Sequence, residues 1–437
     1  MAHFGVVAPA FYSHFKAMQA LAGALIARGH RVTFLHRPDA GAYLDDARIG
    51  FHAVGGDTHP PGSLDAVARR AANPGGPLRL RRVIADMAGS TAMLCRELPG
   101  AIERLGIDAI LADQMEAAGG LVADGLRLPF VSVANALPVN REPGIPLPVM
   151  PFAYEDSERA RRIVEGSTRV YDWMMGPHSR VIEAEARRFG LGRRAGLHDC
   201  LSALAQVSQT VREFDFPRSA LPDHFHHVGP LRPISSGAGP DPYADAMPEV
   251  APGRPFVFAS LGTMQGGRYG VFERIARACR RVDVQLLVAH CGGLNASQEQ
   301  ALKRAGATWV CAFAPQRAVL ERADAVISHA GVNTVLDAIA ARTPILALPV
   351  AFDHPGMAAR MVHAGVGLRA SYRFTGSAAM ARLLRRLLDE DSFAPRLQAL
   401  SGAVARAGGT ARATDIVEQA LCLAPATQGA RPHETAA

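Results

Sequence analysis

One strand–turn–helix–strand pattern begins twice in this chain, first at His3 and again at Pro255. His3–Ala8 is an apolar run of strand length, and Pro9–Ser13 reads as a turn. Phe15–Ala27 follows as a helix closed by Gly29, and Arg31–His36 as the next strand. A strand–helix–strand unit of about 30 residues predicts a parallel sheet covered by helices. The strand Ala109–Ala112, the helix Met115–Gly125 and the strand Phe130–Ala134 extend the first set.

The second set opens with the strand Pro255–Ser260, the glycine-rich turn Leu261–Gly270, the helix Val271–Arg281 and the strand Val284–Ala289. It continues with the strand Ala325–Ser328, the helix Val332–Ala341 and the strand Pro344–Pro349. Between the sets, Phe216–Pro255 is rich in Pro, Gly, Ser and Asp without sustained periodicity, as a linker would be. At 437 residues the chain is also too long for a typical single domain. The expected organisation is α/β throughout. Residues 1–215 and 255–424 form two Rossmann-like domains, 216–254 a linker, and 425–437 a flexible tail. Two such units imply a cleft, with ligands bound beyond the carboxyl ends of the strands.

Hydrophobic residues at 49% and charged residues at 20% fit a soluble globular protein with a sizeable core. A net charge of +7 admits an anionic partner. The arginines come in short groups (Arg79, Arg81, Arg82; Arg159, Arg161, Arg162) within helix-like stretches, and no nucleic-acid motif accompanies them, so nucleic acid is not the expected partner. The cysteines at 95, 200, 279, 291, 311 and 422 show no C-x-x-C pair, and read as small apolar residues in a reducing compartment. No apolar run approaches the roughly 20 residues of a membrane span, and the first residues lack a signal peptide's basic start. Cytoplasm is the expected location.

The segment Trp309–Gly367 carries the densest chemistry. It contains Phe313-Ala314-Pro315-Gln316, then Ser328-His329-Ala330-Gly331-Val332-Asn333-Thr334, then Asp337, then Phe352-Asp353-His354-Pro355. Gly331–Thr334 lies where a strand turns into a helix, and free N–H groups and the helix dipole favour a phosphate there. Asn333 and Thr334 add donors, and His329 can donate or carry charge. Asp337, one turn further, is placed to accept ribose hydroxyls.

A hydroxyl nucleophile at neutral pH needs a base. His14 follows the first strand, where a side chain can project into the cleft as that base. Asp113 closes a second strand at its carboxyl end and could orient the imidazole and stabilise its protonated form.

These residues together resemble the UDP-glycosyltransferase family, which has the GT-B fold of two facing Rossmann-like domains. The family pattern runs W-x-P-Q, then H-x-G-x-N-S/T with an acid four residues on, then P-x-x-x-D-Q. The resemblance implies that Phe313 stacks on uracil, Ala314 bonds its edge through the backbone, and Asp337 holds the ribose, with Gln316 also in the donor site. His329, Gly331, Asn333 and Thr334 then bind the diphosphate, with Val332 among them in the donor site, Ser260, Gly262 and Thr263 lie against it, and Asp353 and His354 face the sugar. Ser13-His14-Phe15-Lys16-Ala17 resembles the catalytic segment, and Asp113 falls where its partner acid lies. Three positions depart from the pattern. Phe313 replaces Trp, Asp337 replaces Glu, and His354 replaces the Gln that contacts the sugar.

The opening F-x-x-V-A-P-x-F-Y-S-H-F and the run A-F-D-x-P-G-M-A-A-R resemble the carotenoid-glucosylating branch of the family. That resemblance implies glucose transfer with inversion from UDP-glucose to the hydroxyls of zeaxanthin or a similar carotenoid. It implies no cofactor beyond the sugar nucleotide, no essential metal, and peripheral docking of an Arg-rich surface on anionic lipid. Two rivals are a family member acting on a macrolide, polyketide or sterol, and a nucleotide-sugar epimerase of the same fold. The apolar loop Pro143–Phe152, with Tyr171, Trp173, Met174 and Met175, either lines an acceptor pocket or is buried packing. His224, His226 and His227 share no metal spacing with acids or cysteines, and Asp389-Glu390-Asp391 reads as a solvated helix end.

Overall fold

The computed structural model describes residues 1–234, 243 and 246–423; the expected flexible tail lies outside them. The chain begins β1 (His3–Val7), α1 (Tyr12–Ala27), β2 (Arg31–His36), β3 (Gly50–Ala53), α2 (Ser63–Ala72) and α3 (Pro77–Leu105). It continues β4 (Ala109–Asp113), α4 (Ala117–Leu126), β5 (Phe130–Ala134), α5 (Glu158–Arg188), β6 (Ala205–Ser208) and β7 (Phe225–His227). The second half runs β8 (Phe256–Ser260), α6 (Gly262–Gln265), α7 (Tyr269–Val282), β9 (Gln285–Ala289), α8 (Ala296–Ala305) and β10 (Trp309–Cys311). Next come α9 (Gln316–Arg322), β11 (Ala325–Ser328), α10 (Val332–Ala341), β12 (Ile345–Ala347), α11 (His354–His363) and β13 (Gly367–Arg369). Three helices close the chain: α12 (Ser377–Asp389), α13 (Phe393–Arg406) and α14 (Gly409–Leu423).

The strands form two sheets, ordered β3-β2-β1-β4-β5-β6-β7 and β10-β9-β8-β11-β12-β13. Every pairing is parallel. Helices cover both faces, so β1, β4, β5, β8 and β9 are buried at every position and read as continuous apolar runs. One face of the first sheet packs Val6, Leu111 and Val133 against Leu21 and Leu25 of α1; the other packs Val7 and Ile110 against Leu94, Leu98 and Leu121. Each such side chain contributes about 1.5–3 kcal/mol through burial. In each sheet the strand order reverses once, between β1 and β4 and between β8 and β11. Those reversals open the crevices in which such sheets hold ligands.

The structure corrects three sequence expectations. The turn before the first helix is shorter than Pro9–Ser13, because α1 already begins at Tyr12 behind an extended Phe11 and therefore includes His14. The glycine-rich stretch Leu261–Gly270 contains α6 and the start of α7. The stretch assigned to the linker contributes β7, Val228 and Leu231 to the first half.

The last helix also departs from chain order. α14 falls within the stretch expected to belong to the second unit, yet Ala413, Ile416, Val417 and Ala420 pack into the core of the first sheet with Leu21 and Leu25. Gly408 and Gly409, at φ 87° and 53°, turn the chain back, and Gly409 N–H donates to Val228 O at 2.6 Å. Arg28 then clasps Asp415 and Glu418, each at 2.7 Å. No helix among the described residues is long and apolar enough to cross a membrane.

Candidate active site

His14 and Asp113 meet at the first reversal. β1 and β4 lie side by side, with Val7 opposite Ala112, so the residue ending β4 faces the helix that follows β1. Nδ1 of His14 is 2.6 Å from Oδ2 of Asp113. Asp113 is fully buried, and its carboxylate also accepts from Met115 N–H (2.9 Å) and Asn135 Nδ2 (2.8 Å). A carboxylate can only accept, so Nδ1 holds the proton and Nε2 is the basic nitrogen. Burial disfavours the imidazolium, but the charge and hydrogen bond of Asp113, with the charge of Asp353, outweigh it and raise the His14 pKa above 6.5.

Asp353 reaches this pair from the second half. Its pKa is raised by burial, against the opposing pull of His14 and the Leu137 N–H. The preceding Phe352 has φ 55°, and its ring lies 6.4 Å from that of Phe11, which in turn is 6.3 Å from His14. A left-handed non-glycine residue costs about 1–2 kcal/mol, and Ala330 (φ 67°) is a second one in the same cleft.

At the second reversal, Ser328 of β11 lies opposite Ser260 of β8. The His329 ring fills the gap between the turns that follow. A Cβ on Gly262 would lie 2.6 Å from its Cε1, and one on Gly331 would lie 2.4 Å from its Nε2. His354 meets it edge-on at 4.5 Å. Burial lowers the His329 pKa to about 4, so at neutral pH this ring donates a hydrogen bond but carries no charge. Burial also holds His354 well below 6.5, helped by His329, and its Nδ1 accepts the Ala351 N–H at 3.3 Å. Ser260 Oγ accepts the Gly262 N–H at 3.3 Å, and Thr263 stands exposed in α6. Val332 buries its side chain in the core, leaving only its backbone for a ligand.

A third group forms where α9 faces α10. Gln316 Nε2 donates to Asp337 Oδ2 at 2.8 Å, and Thr334 Oγ1 donates to Gln316 Oε1 at 3.2 Å. Phe313 and Ala314 precede α9 beyond the end of β10.

Two neighbours of this group were missed by sequence reasoning. Tyr243 stacks on Phe313 with centroids 5.1 Å apart and planes 20° from parallel. Arg232 reaches Asp337 with its Nη2 at 2.8 Å. Both come from the aperiodic stretch after β7, and only its position behind Val228-Gly229-Pro230-Leu231 could have flagged Arg232.

The apolar loop Pro143–Phe152 buries Ile145, Leu147 and Met150 and seats Pro148 O on the Gly356 N–H of α11 at 3.1 Å, bridging the halves. Trp173, expected beside it, faces solvent at 81% exposure. Among the described residues, no three His, Cys, Asp or Glu side chains group as metal ligands. Glu390 instead pairs with Arg386 at 2.6 Å at the end of α12.

Two parallel sheets that each reverse strand order once, with the His14–Asp113 pair beyond one reversal and the start of α10 beyond the other, make up the GT-B architecture. Residues 190–403 match the family described as UDP-glucoronosyl and UDP-glucosyl transferase. The chain is 52% identical to zeaxanthin glucosyltransferase of Pantoea ananas, over 97% of this chain and 96% of that one. It is 45% identical to zeaxanthin glucosyltransferase of Pseudescherichia vulneris, over 96% and 98% respectively. Among solved structures, the glycotransferase of kitacinnamycin superposes with TM-score 0.73 at 20% identity, covering 96% of this chain and 99% of that one. VinC, solved in complex with dTDP, superposes with TM-score 0.68 at 19% identity, covering 96% and 99%. The chain belongs to the UDP-glycosyltransferase family.

Proposed function

We infer that this enzyme transfers glucose from UDP-glucose to the hydroxyls of zeaxanthin or a similar carotenoid, with inversion. The acceptor rests on the two full-length relatives, and the chemistry rests on the His14–Asp113 pair. The first half takes the acceptor beside His14, and the second half takes the donor. Nε2 of His14 removes the hydroxyl proton as the oxygen bonds to the anomeric carbon, and the bond from that carbon to the β-phosphate oxygen breaks. UDP leaves with the electron pair, and the imidazolium is stabilised by Asp113 and Asp353. Attack opposite the leaving group gives a β-glucoside.

The start of α10 receives the charge that develops on the diphosphate, with neutral donors from His329, the Asn333 amide and the first-turn backbone N–H of Thr334, whose hydroxyl is already given to Gln316. On this reading a chelator leaves turnover unchanged.

A carotenoid acceptor resides in a bilayer. Crossover helices in a parallel sheet run against the strands, so α3 and α5 both start at the cleft end. Leu78 (77% exposed) faces solvent in the first turn of α3, and Ile163, Val170 and Trp173 do so along the first half of α5. Arg79, Arg81, Arg82 and Arg159 are exposed in the first turns of the same two helices, outside the ion pairs of the described residues. This mixture of apolar and basic side chains suits the surface of an anionic membrane, and we propose peripheral docking there.

The test is to mix the protein with UDP-glucose and zeaxanthin in detergent micelles, with and without EDTA, and follow products by mass. Stepwise gain of one and two hexoses, lost in His14→Ala, is expected. Product only with a macrolide or sterol would move the acceptor; donor conversion without any acceptor would overturn the transferase reading.

A further inference from the structure

Arg232 is held from both sides of the molecule. Its backbone belongs to the first half. The Arg232 N–H donates to Thr410 Oγ1 at 2.8 Å, and that hydroxyl donates back to Arg232 O at 2.7 Å. Gln209 Oε1, just beyond β6, accepts from Leu231 N–H at 3.0 Å and from Arg232 Nη1 at 3.1 Å. The rest of the guanidinium reaches α10 of the second half. Nε donates to Asp337 Oδ1 at 2.9 Å, Nη1 to Asn333 Oδ1 at 3.2 Å, and Nη2 to Asn333 O at 3.2 Å.

We infer that Arg232 is a donor-positioning residue, fixing Asp337 and the first turn of α10 from the opposite half of the molecule. The inference rests on the reading that Asp337 and Asn333 bind the sugar nucleotide. Two physical arguments support it. A buried carboxylate beside a diphosphate repels it unless neutralised, and a permanently charged guanidinium within 3 Å supplies that neutralisation. Arg232 and Gln316 between them fix both oxygens of Asp337, so the carboxylate is oriented before the ribose arrives, while spare lone pairs remain for its hydroxyls. On this reading the ribose end of the donor site is built by both halves, and is complete only while Arg232 bridges them.

The test is a double-mutant cycle on the full-length enzyme, with Arg232→Ala, Asp337→Ala and the pair, reading KM for UDP-glucose, kcat and the calorimetric Kd of UDP. Arg232→Ala is expected to raise KM and Kd about tenfold or more while kcat falls less than about threefold, since a charge-assisted contact made in both ground and transition states is lost. The double variant is expected to bind no more weakly than Asp337→Ala alone, because the two side chains act as one unit. Arg232→Lys, which keeps the charge but not the fork, is expected to lie between wild type and Arg232→Ala, and serves as the folded variant if Arg232→Ala does not fold. If Asp337→Ala leaves KM and Kd unchanged, the donor-site reading itself fails. If Asp337→Ala weakens the donor but folded Arg232→Ala or Arg232→Lys does not, or if the penalties simply add, Arg232 has no positioning role.

Discussion

His14, in the first turn of α1, directs Nδ1 at the buried carboxylate of Asp113, 99 residues further along the chain and 2.6 Å away. The two are neighbours because β1 and β4 are neighbours in the sheet: Asp113 is the last residue of β4, and His14 opens the helix that follows β1. Asn135 and the Met115 N–H lock the carboxylate, so the imidazole has one tautomer and one orientation. His14→Ala should therefore lower kcat by about 10²–10⁴-fold with little change in KM for the donor, the range expected for losing a general base. Steady-state kinetics with UDP-glucose check this; an unchanged kcat would remove His14 from the mechanism.

The same pair sets a pH dependence. The folded-state pKa of His14 lies above 6.5, and the base works only when neutral. The rate should therefore rise with pH, with the midpoint of its acid limb above 6.5. The linked stability runs the other way. It is fully present below the unfolded value of about 6.5 and is lost as pH rises through the raised folded value. Asp113→Asn removes the charge favouring the imidazolium, so the acid limb of kcat/KM should move to lower pH while the maximum falls. A limb that stays in place would show that Asp113 does not tune the base.

The elements at the two reversals were legible because their signals are local. The strand Ala325–Ser328 and the helix Val332–Ala341 have the bounds their apolar period predicts, and the polar positions around them share one stretch of sequence. What was not legible depends on distant contacts. Arg232 meets Asp337 across 105 residues, from a segment with no periodicity to place it. The sequence of α14 carries an amphipathic pattern but no sign of which sheet it will join; Val228 and Arg28 decide that. Trp173 was misread because an aromatic residue near an apolar loop suits a pocket wall and a free surface equally well.

Gly331 is required by contact rather than by backbone conformation. Its φ of −66° suits any residue, but an added Cβ would stand 2.4 Å from His329 Nε2. Gly331→Ala should push the ring out of its slot between the turns at Gly262 and Gly331 and, if these hold the donor as proposed, raise KM for UDP-glucose by about tenfold while the fold survives. Near-UV circular dichroism and donor kinetics together check this. A normal KM would mean that His329 gives way without consequence and is not a donor ligand.

Stability at the junction of the halves rests on a buried charge cluster. Arg360, fully buried on α11, donates from Nε to Asp215 Oδ1 at 2.5 Å; Arg218 bonds the other oxygen at 2.9 Å, and Phe216 lies under the Arg360 guanidinium at 4.3 Å. Burial alone would raise the Asp215 pKa, but the two arginines outweigh it and hold it low. Its contribution is present above the ordinary carboxylate value of 3.8 and is lost as pH falls through the lowered folded value. Asp215→Ala strands a buried guanidinium and should cost about 3–5 kcal/mol in denaturant unfolding, whereas Arg360→Met should cost less. Equal losses would mean that packing, not charge, dominates there.

The exposed face of α3 and α5 yields the prediction that separates membrane docking from an incidental apolar surface. Trp173, Val170 and Ile163 recur at helical spacing along α5, and the exposed Arg79, Arg81 and Arg82 belong to the first turns of α3. A bilayer surface would take the indole at the headgroup level and draw in each arginine by about 1 kcal/mol, an attraction that salt screens. Trp173→Glu and, separately, Arg79, Arg81 and Arg82→Glu should each abolish co-sedimentation with anionic vesicles. The same variants should keep wild-type turnover on acceptor dissolved in detergent and lose turnover on acceptor embedded in vesicles. Wild-type protein that fails to sediment, or that sediments equally with neutral lipid, would sink the docking proposal and leave the chemistry of the cleft untouched.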